Sequence, residues 1–243
     1  MKSVARRALV TGGSGQIGAA ICRRLALAGH FVYVQAHRGI AAAHSLVAEI
    51  IAAGGHAQAL AFDITDGAAT RAGLETVLAD GAIQILVNNA GIHDDAAFPG
   101  MSEQQWHRVI DVSVDGFFNV TQPLMLPMIR TRWGRVINIS SVAALTGNRG
   151  QVNYSAVKGA LNSATRSLAL ELASRGITVN AVAPGIIASD MSAGHFDDAT
   201  IARLVPMQRS GGADEVAHLV DFLAGDAAGY ITGQVISING GMI

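Results

Sequence analysis

The sequence predicts an α/β fold: a doubly wound, seven-stranded parallel sheet with helices on both faces, in one domain over 1–243. Three observations predict it. Apolar runs of strand length alternate with longer stretches of helical period, the pattern of βαβ units. Several runs are continuous in Val, Ile and Leu, as strands covered on both faces are. Half of the 243 residues are hydrophobic and only 14% are charged, against ~25% in an average soluble domain.

The first strand falls in ARRALVTG (5–12) and runs through a glycine-rich turn into a helix over 16–28. HFVYVQA (30–36) and HAQALAF (56–62) follow, each with a helix behind it, over 40–53 and 67–79. IQILVNNA (83–90) precedes a long helix over 102–130, and GRVINISS (134–141) precedes one over 152–174. GITVNAVAP (176–184), a helix over 213–224 and QVISING (234–240) complete the set. The stretches stop at Gly29, Gly54-Gly55, Gly81 and Gly176, as helices do. Ligands of such sheets sit at the carboxyl ends of the strands, so the residues just after each strand are the candidates for function.

Charge and cysteine content exclude several classes. With 17 basic and 18 acidic residues, no basic field argues for nucleic acid. The single cysteine, Cys22, excludes an intrachain disulfide framework and a multi-cysteine metal site, and fits a reducing compartment. It sits among apolar neighbours in the first helix, as an inert core thiol would. The basic start reaches Thr11-Gly12 with too short an apolar run for a signal peptide. No stretch approaches the ~20 apolar residues of a membrane span. The histidines lack metal-ligand spacing. The reading is a cytoplasmic protein without metal or membrane.

The turn TGGSGQIG comes first among the motifs. Gly12, Gly15 and Gly18 permit a tight turn and close backbone approach, with Ser14, Gln16 and Ile17 between them. The helix start offers free N–H groups and a positive dipole to a pyrophosphate. An ordinary glycine turn is the plain alternative; its place after the first strand favours dinucleotide binding. The second strand ends without the acid that holds ribose hydroxyls of NAD, and carries His37 and Arg38 instead. A guanidinium suits a 2′-phosphate, which favours NADP(H) over NAD(H), unless Arg38 merely faces solvent. After the third strand stand Asp63 and Ile64; Asp63 accepts from an adenine amino group or caps the helix that starts near Asp66. After the fourth, Asn88-Asn89-Ala90-Gly91 tie neighbouring strands and leave small residues against a cofactor.

Tyr154 and Lys158 are four apart on a helix and share one face, while Ser141 ends the preceding strand. A phenol is a poor acid–base catalyst at neutral pH until an ammonium favours its phenolate. The serine hydroxyl can then polarise a carbonyl oxygen. A Tyr/Lys pair at this spacing also arises by chance, and it is the combination with the serine and the dinucleotide turn that carries the argument.

Taken together, these motifs and the ending TGQ…NGG resemble, over essentially the full chain, the short-chain dehydrogenase/reductases, whose fold is Rossmann-type. Within that family GNRGQVNYSAVKGAL and LASRGITVNAVAPG look most like 3-oxoacyl-acyl-carrier-protein reductases. The resemblance implies that Tyr154 protonates the carbonyl oxygen as hydride leaves the nicotinamide. It implies that Lys158 lowers the tyrosine pKa and holds the nicotinamide ribose, and that Ser141 positions the carbonyl. Pro184, Gly185 and Ile187 would line the nicotinamide, within a lid over about 186–210.

Two departures from the family stand out. Its short members read T-G-x-x-x-G-x-G, whereas this chain has Gly15 and Gln16, closer to the T-G-x-x-G-x-x-G of a longer, epimerase-like branch; a basic residue frequent at position 15 in NADP-dependent members is missing. Ser113 stands where the family carries a catalytic asparagine, which places rate rather than reaction type in question. An acyl carrier protein is expected to dock on a basic patch at the site mouth, read at Arg130, Arg132 and Arg135, with Leu170 where a further basic residue is expected and Arg166 and Arg175 beside it. The plain alternative is a solvated helix end. His93-Asp94-Asp95 are read as a polar loop near the mouth that could touch substrate.

The rival functions are an NAD-dependent alcohol or sugar dehydrogenase and a catalytically silent cofactor-binding scaffold. Apolar residues on more than one face of helices 102–130 and 152–174, and an uncharged ending Gly240-Gly241-Met242-Ile243, point to a homo-oligomer, a tetramer of two-fold symmetry.

Overall fold

The computed structural model describes residues 5–188 and 197–243. Its strands are β1 (Arg7–Val10), β2 (Phe31–Ala36), β3 (His56–Ala61), β4 (Ile85–Asn88), β5 (Gly134–Ile139), β6 (Ile177–Pro184) and β7 (Val235–Ile238). They form one sheet in the order β3-β2-β1-β4-β5-β6-β7, every neighbouring pair parallel. The helices are α1 (Gln16–Leu27), α2 (Ile40–Ala52), α3 (Gly67–Leu78), α4 (Glu103–Ile110), α5 (Gly116–Thr131), α6 (Ala143–Thr146), α7 (Val152–Leu172), α8 (Asp198–Leu204) and α9 (Ala213–Ala224).

The continuous apolar strands conceal a period of two. Ala8, Val10, Val32, Val34, Ile85 and Val87 face α1, α2 and α9 and pack with Ile21, Leu25, Leu46 and Val220. Leu9, Tyr33, Leu60, Leu86 and Val136 face the other way, onto Leu74, Val120, Leu124 and Met128 of α3 and α5. Both layers exclude water in β1, β2, β4, β5 and β6, which is why little polar alternation marks these strands, whereas β3 at the sheet edge alternates in burial. Cys22 is fully buried in the first layer, and burial pushes its thiol far up, as expected of an inert core residue.

Several elements differ from expectation. The helix read over 102–130 is α4, a wider π-helical turn over Asp111–Asp115, and α5. Gly116 meets Ile64 there: a Cβ would lie 2.6 Å from the Ile64 Cδ1. Pro123 and Pro127 sit inside α5. The short α6 and α8 carry no periodic signal long enough to read. Ser102 and Gln105 form the capping box that starts α4. At the chain end Ile243 is 56% exposed within the single chain. Among the described residues no helix is long and apolar enough to cross a membrane.

Because β4 continues the sheet on the opposite side of β1 from β2, the loops after β1 and β4 diverge and open a crevice at the carboxyl ends.

Candidate active site

The glycine turn after β1 forms one wall of that crevice. Gly12 adopts φ +61°, a left-handed conformation that glycine tolerates best. At Gly18 a Cβ would collide with the Gly12 carbonyl and approach the Asn89 Nδ2 to 2.8 Å. The end of β4 clasps the turn: Asn89 Nδ2 donates to the carbonyls of Thr11 and Gly12 at 3.0 and 3.1 Å. The Thr11 hydroxyl accepts from the N–H groups of Asn89 and Ala90. Asn88 ties inward to Thr121 and Asn138. The backbone at the start of α1 is thereby held bare beside the crevice, with Ser14, Gly15, Gln16 and Ile17 lining it.

His37 and Arg38, after β2, and Asp63 and Ile64, after β3, line one end. Asp63 accepts from the Thr65 N–H and hydroxyl at 3.0 and 2.9 Å and pairs with His37 Nδ1 at 3.2 Å. Burial pushes its carboxyl up, but the two Thr65 bonds and the positive field of His37 and Arg38 outweigh it and hold the group below the usual range. The capping alternative for Asp63 is corrected: Asp66 caps α3, accepting from the N–H groups of Ala68 and Ala69. Arg38 is exposed and keeps its guanidinium free of hydrogen bonds within the described residues.

At the other end Ser141 follows β5, and Tyr154 and Lys158 project from the first turns of α7. Asn153 fixes that helix start by donating to the carbonyls of Asp94 and Gln105. Lys158 is 3% exposed and donates to the Ile139 carbonyl at 2.7 Å. Desolvation lowers its pKa to about 8. Its Nζ lies 5.6 Å from the centre of the Tyr154 ring. The expectation of a lowered tyrosine pKa is corrected for this state. Burial pushes the Tyr154 phenol up, the hydrogen bond with Ser141 only partly opposes it, and Asp95 adds to the rise. Pro184, Gly185 and Ile187 close the wall after β6, and Ala90 and Gly91 lie between the walls. A Cβ on Gly91 would stand 3.1 Å from the Lys158 Nζ.

Ser113 does not join this group. It lies in the π-helical turn, 2% exposed, off the crevice lining, and its Oγ has no hydrogen-bond partner among the described residues. Part of the lid read over 186–210 falls at 189–196, outside the described residues. His93 does reach the mouth. Its ring stands edge-on to Tyr154 at 6.4 Å and its Nδ1 meets Asp95 at 3.2 Å. Sequence reasoning missed Gln35, Gly39, Arg108, Asp111 and Val112 as lining residues. Gly39 had a readable signal, a glycine directly after His37-Arg38, where a side chain would strike the Ser14 hydroxyl.

The basic patch is also corrected. Arg130 and Arg132 are exposed but stand just before β5 begins, at the amino ends of the strands and away from the crevice at their carboxyl ends. Arg135 is 4% exposed, stacks on Trp133 and donates to the carbonyls of Gly134 and Gly225.

The crevice has a volume of about 650 Å³, within the range of cofactor sites. A bare helix start, a free guanidinium at one end and a Ser–Tyr–Lys group at the other fit a nicotinamide dinucleotide. The short chain dehydrogenase family model matches residues 6–200. The chain belongs to the short chain dehydrogenase family. This short chain dehydrogenase is an oxidoreductase acting on CH–OH groups with a nicotinamide cofactor. It is 44% identical to the 3-oxoacyl-[acyl-carrier-protein] reductase FabG of Aggregatibacter actinomycetemcomitans over 236 residues, covering 96% of this chain and 98% of the relative. It is also 44% identical to the FabG reductase of Staphylococcus aureus over 240 residues, covering 98% of each. The 3-oxoacyl-[acyl-carrier-protein] reductase of Synechocystis is 44% identical over 241 residues, covering 98% of this short chain dehydrogenase and 97% of the relative.

Proposed function

We propose that the chain, as one domain over 1–243, reduces the 3-oxo group of an acyl chain carried as a thioester on an acyl carrier protein, with NADPH. The observation that carries the reading is the Ser141–Tyr154–Lys158 group at one end of a crevice whose other end presents Arg38. When bound, the cofactor supplies hydride to the carbonyl carbon. Tyr154 is the acid: its phenol, shifted upward by burial, is protonated at neutral pH, as an ordinary phenol is, and a proton stands ready for the oxygen as negative charge develops. Ser141 donates to the same oxygen and orients it. Lys158, charged below about pH 8, stabilises the phenolate left behind. Gly12, Gly15, Gly18 and the start of α1 hold the pyrophosphate, and Asn89, Ala90 and Gly91 flank the ribose. Pro184, Gly185 and Ile187 hold the nicotinamide. Arg38, with His37, selects the 2′-phosphate, and Asp63 and Ile64 border the adenine. Ser113, at the position of the family's asparagine, bears on rate and not on reaction type.

The same reading makes the protein a homo-oligomer of the cytoplasm. Carrier docking on Arg130 and Arg132 requires that the assembly bring them to the site of a neighbouring subunit, since they stand at the amino ends of the strands, away from their own crevice. Turnover of an acetoacetyl thioester with NADPH, set against a secondary alcohol with NAD, tests the reading. Consumption of NADPH by the thioester supports it. Oxidation of the alcohol with NAD and no thioester turnover supports the rival dehydrogenase.

A further inference from the structure

The residue that departs from the family's glycine pattern crosses the crevice. Gln16 opens α1, and its Nε2 donates to the Ala188 carbonyl at 2.8 Å. Gln16 follows the turn after β1 and Ala188 lies after β6, and β4 and β5 separate these two strands in the sheet. The Gln16 side chain therefore joins two walls that are not neighbours in the sheet. Both anchors are fixed. The Ala188 N–H donates to the Gly211 carbonyl and the Gly211 N–H to the Ile186 carbonyl, each at 2.9 Å. Gly211 leads into α9, which is joined to α1 by an Arg24–Asp221 ion pair at 2.9 Å. Gln16 is exposed, so its bond adds little to the core.

We propose that Gln16 is a strap over the middle of the crevice that slows release of the dinucleotide. The inference rests on the cofactor crevice proposed above. A dinucleotide reaching from Arg38 to Lys158 passes the start of α1, where the Gln16 side chain leaves the helix. Rotation of the Gln16 side-chain torsions is enough to open the strap, since a single hydrogen bond closes it. A glycine at this position, as in the family's pattern, has no side chain to span the walls. The strap is therefore a positioning device of this chain, acting on residence time and not on the chemical step.

Stopped-flow displacement of bound NADPH by excess NADP⁺, followed by nicotinamide fluorescence, reads the release rate directly. Gln16→Ala removes the span, and Gln16→Met keeps the bulk but cannot donate. Release about three- to tenfold faster in both variants, the factor one neutral hydrogen bond commands, with an unchanged melting temperature, supports the strap. Release at the wild-type rate in both variants overturns it. A lowered melting temperature with unchanged release assigns Gln16 to helix structure alone and also overturns it. Failure of the wild-type protein to bind NADPH contradicts the crevice itself and is thereby told apart.

Discussion

Lys158 carries an ammonium at 3% exposure, and that placement sets the pH behaviour of the site. Desolvation moves its pKa from 10.5 to about 8. Below that value the ammonium is present to stabilise a Tyr154 phenolate; as pH rises through it, the charge is lost. The Tyr154 phenol is shifted upward and stays protonated over the same interval. The kcat/KM for NADPH, which reports groups of the free enzyme, is therefore expected to be flat from pH 6 to 7 and to fall tenfold per unit well above about pH 8. A profile flat to pH 9.5 would show that Lys158 does not govern the site. The Tyr154–Lys158 pair was legible in the sequence because a spacing of four lies on one helix. The direction of the tyrosine shift was not, because burial by other elements and Asp95 set it. Likewise the His37–Asp63 pair joins two strand ends 26 positions apart, and nothing local announces it.

Among elements, the β1–α1 unit is the part whose local sequence dictates most. Gly18 lies where the Gly12 carbonyl and Asn89 leave no room for a methyl group. Gly18→Ala is expected to weaken NADPH binding at least tenfold and to destabilise the fold by about 1–3 kcal/mol, the usual cost of overpacking. Fluorescence titration and urea denaturation measure the two effects, and a variant that binds NADPH like the wild type would refute the tight-turn account. The seven strands and their parallel sheet were legible in strand-length runs alternating with helical stretches, and the order of the strands in the sheet was not. The division of the long helix into α4, a π-helical turn and α5 was hidden, because its apolar period runs on through the insertion, and the close approach of Gly116 to Ile64 comes from another loop. For the same reason Ser113 could be aligned with a catalytic asparagine by position, yet it lies off the crevice lining.

At the scale of the whole molecule, the apolar faces read as interfaces divide in two. Val120, Leu124, Leu161 and Leu172 serve this chain's own core, so Leu172 cannot report on assembly. Phe118 at 62% exposure and Leu126 at 65%, two helical turns apart on α5, remain uncovered. If a second copy covers them, as the proposed oligomer requires, Phe118→Glu with Leu126→Glu lowers the mass seen by light scattering at micromolar concentration. A wild-type protein of one 25.1 kDa chain that turns over substrate would contradict the oligomer.

The central claim is that Tyr154 delivers the proton in an NADPH-dependent reduction of a 3-oxoacyl thioester. Its most direct measurement is turnover of acetoacetyl-acyl-carrier protein by wild type and Tyr154→Phe, with NADPH affinity determined for both. The account predicts one 3-hydroxyacyl product per NADPH consumed by the wild type, and turnover lost in Tyr154→Phe while NADPH still binds. Retention of a tenth or more of the wild-type kcat in Tyr154→Phe would contradict it.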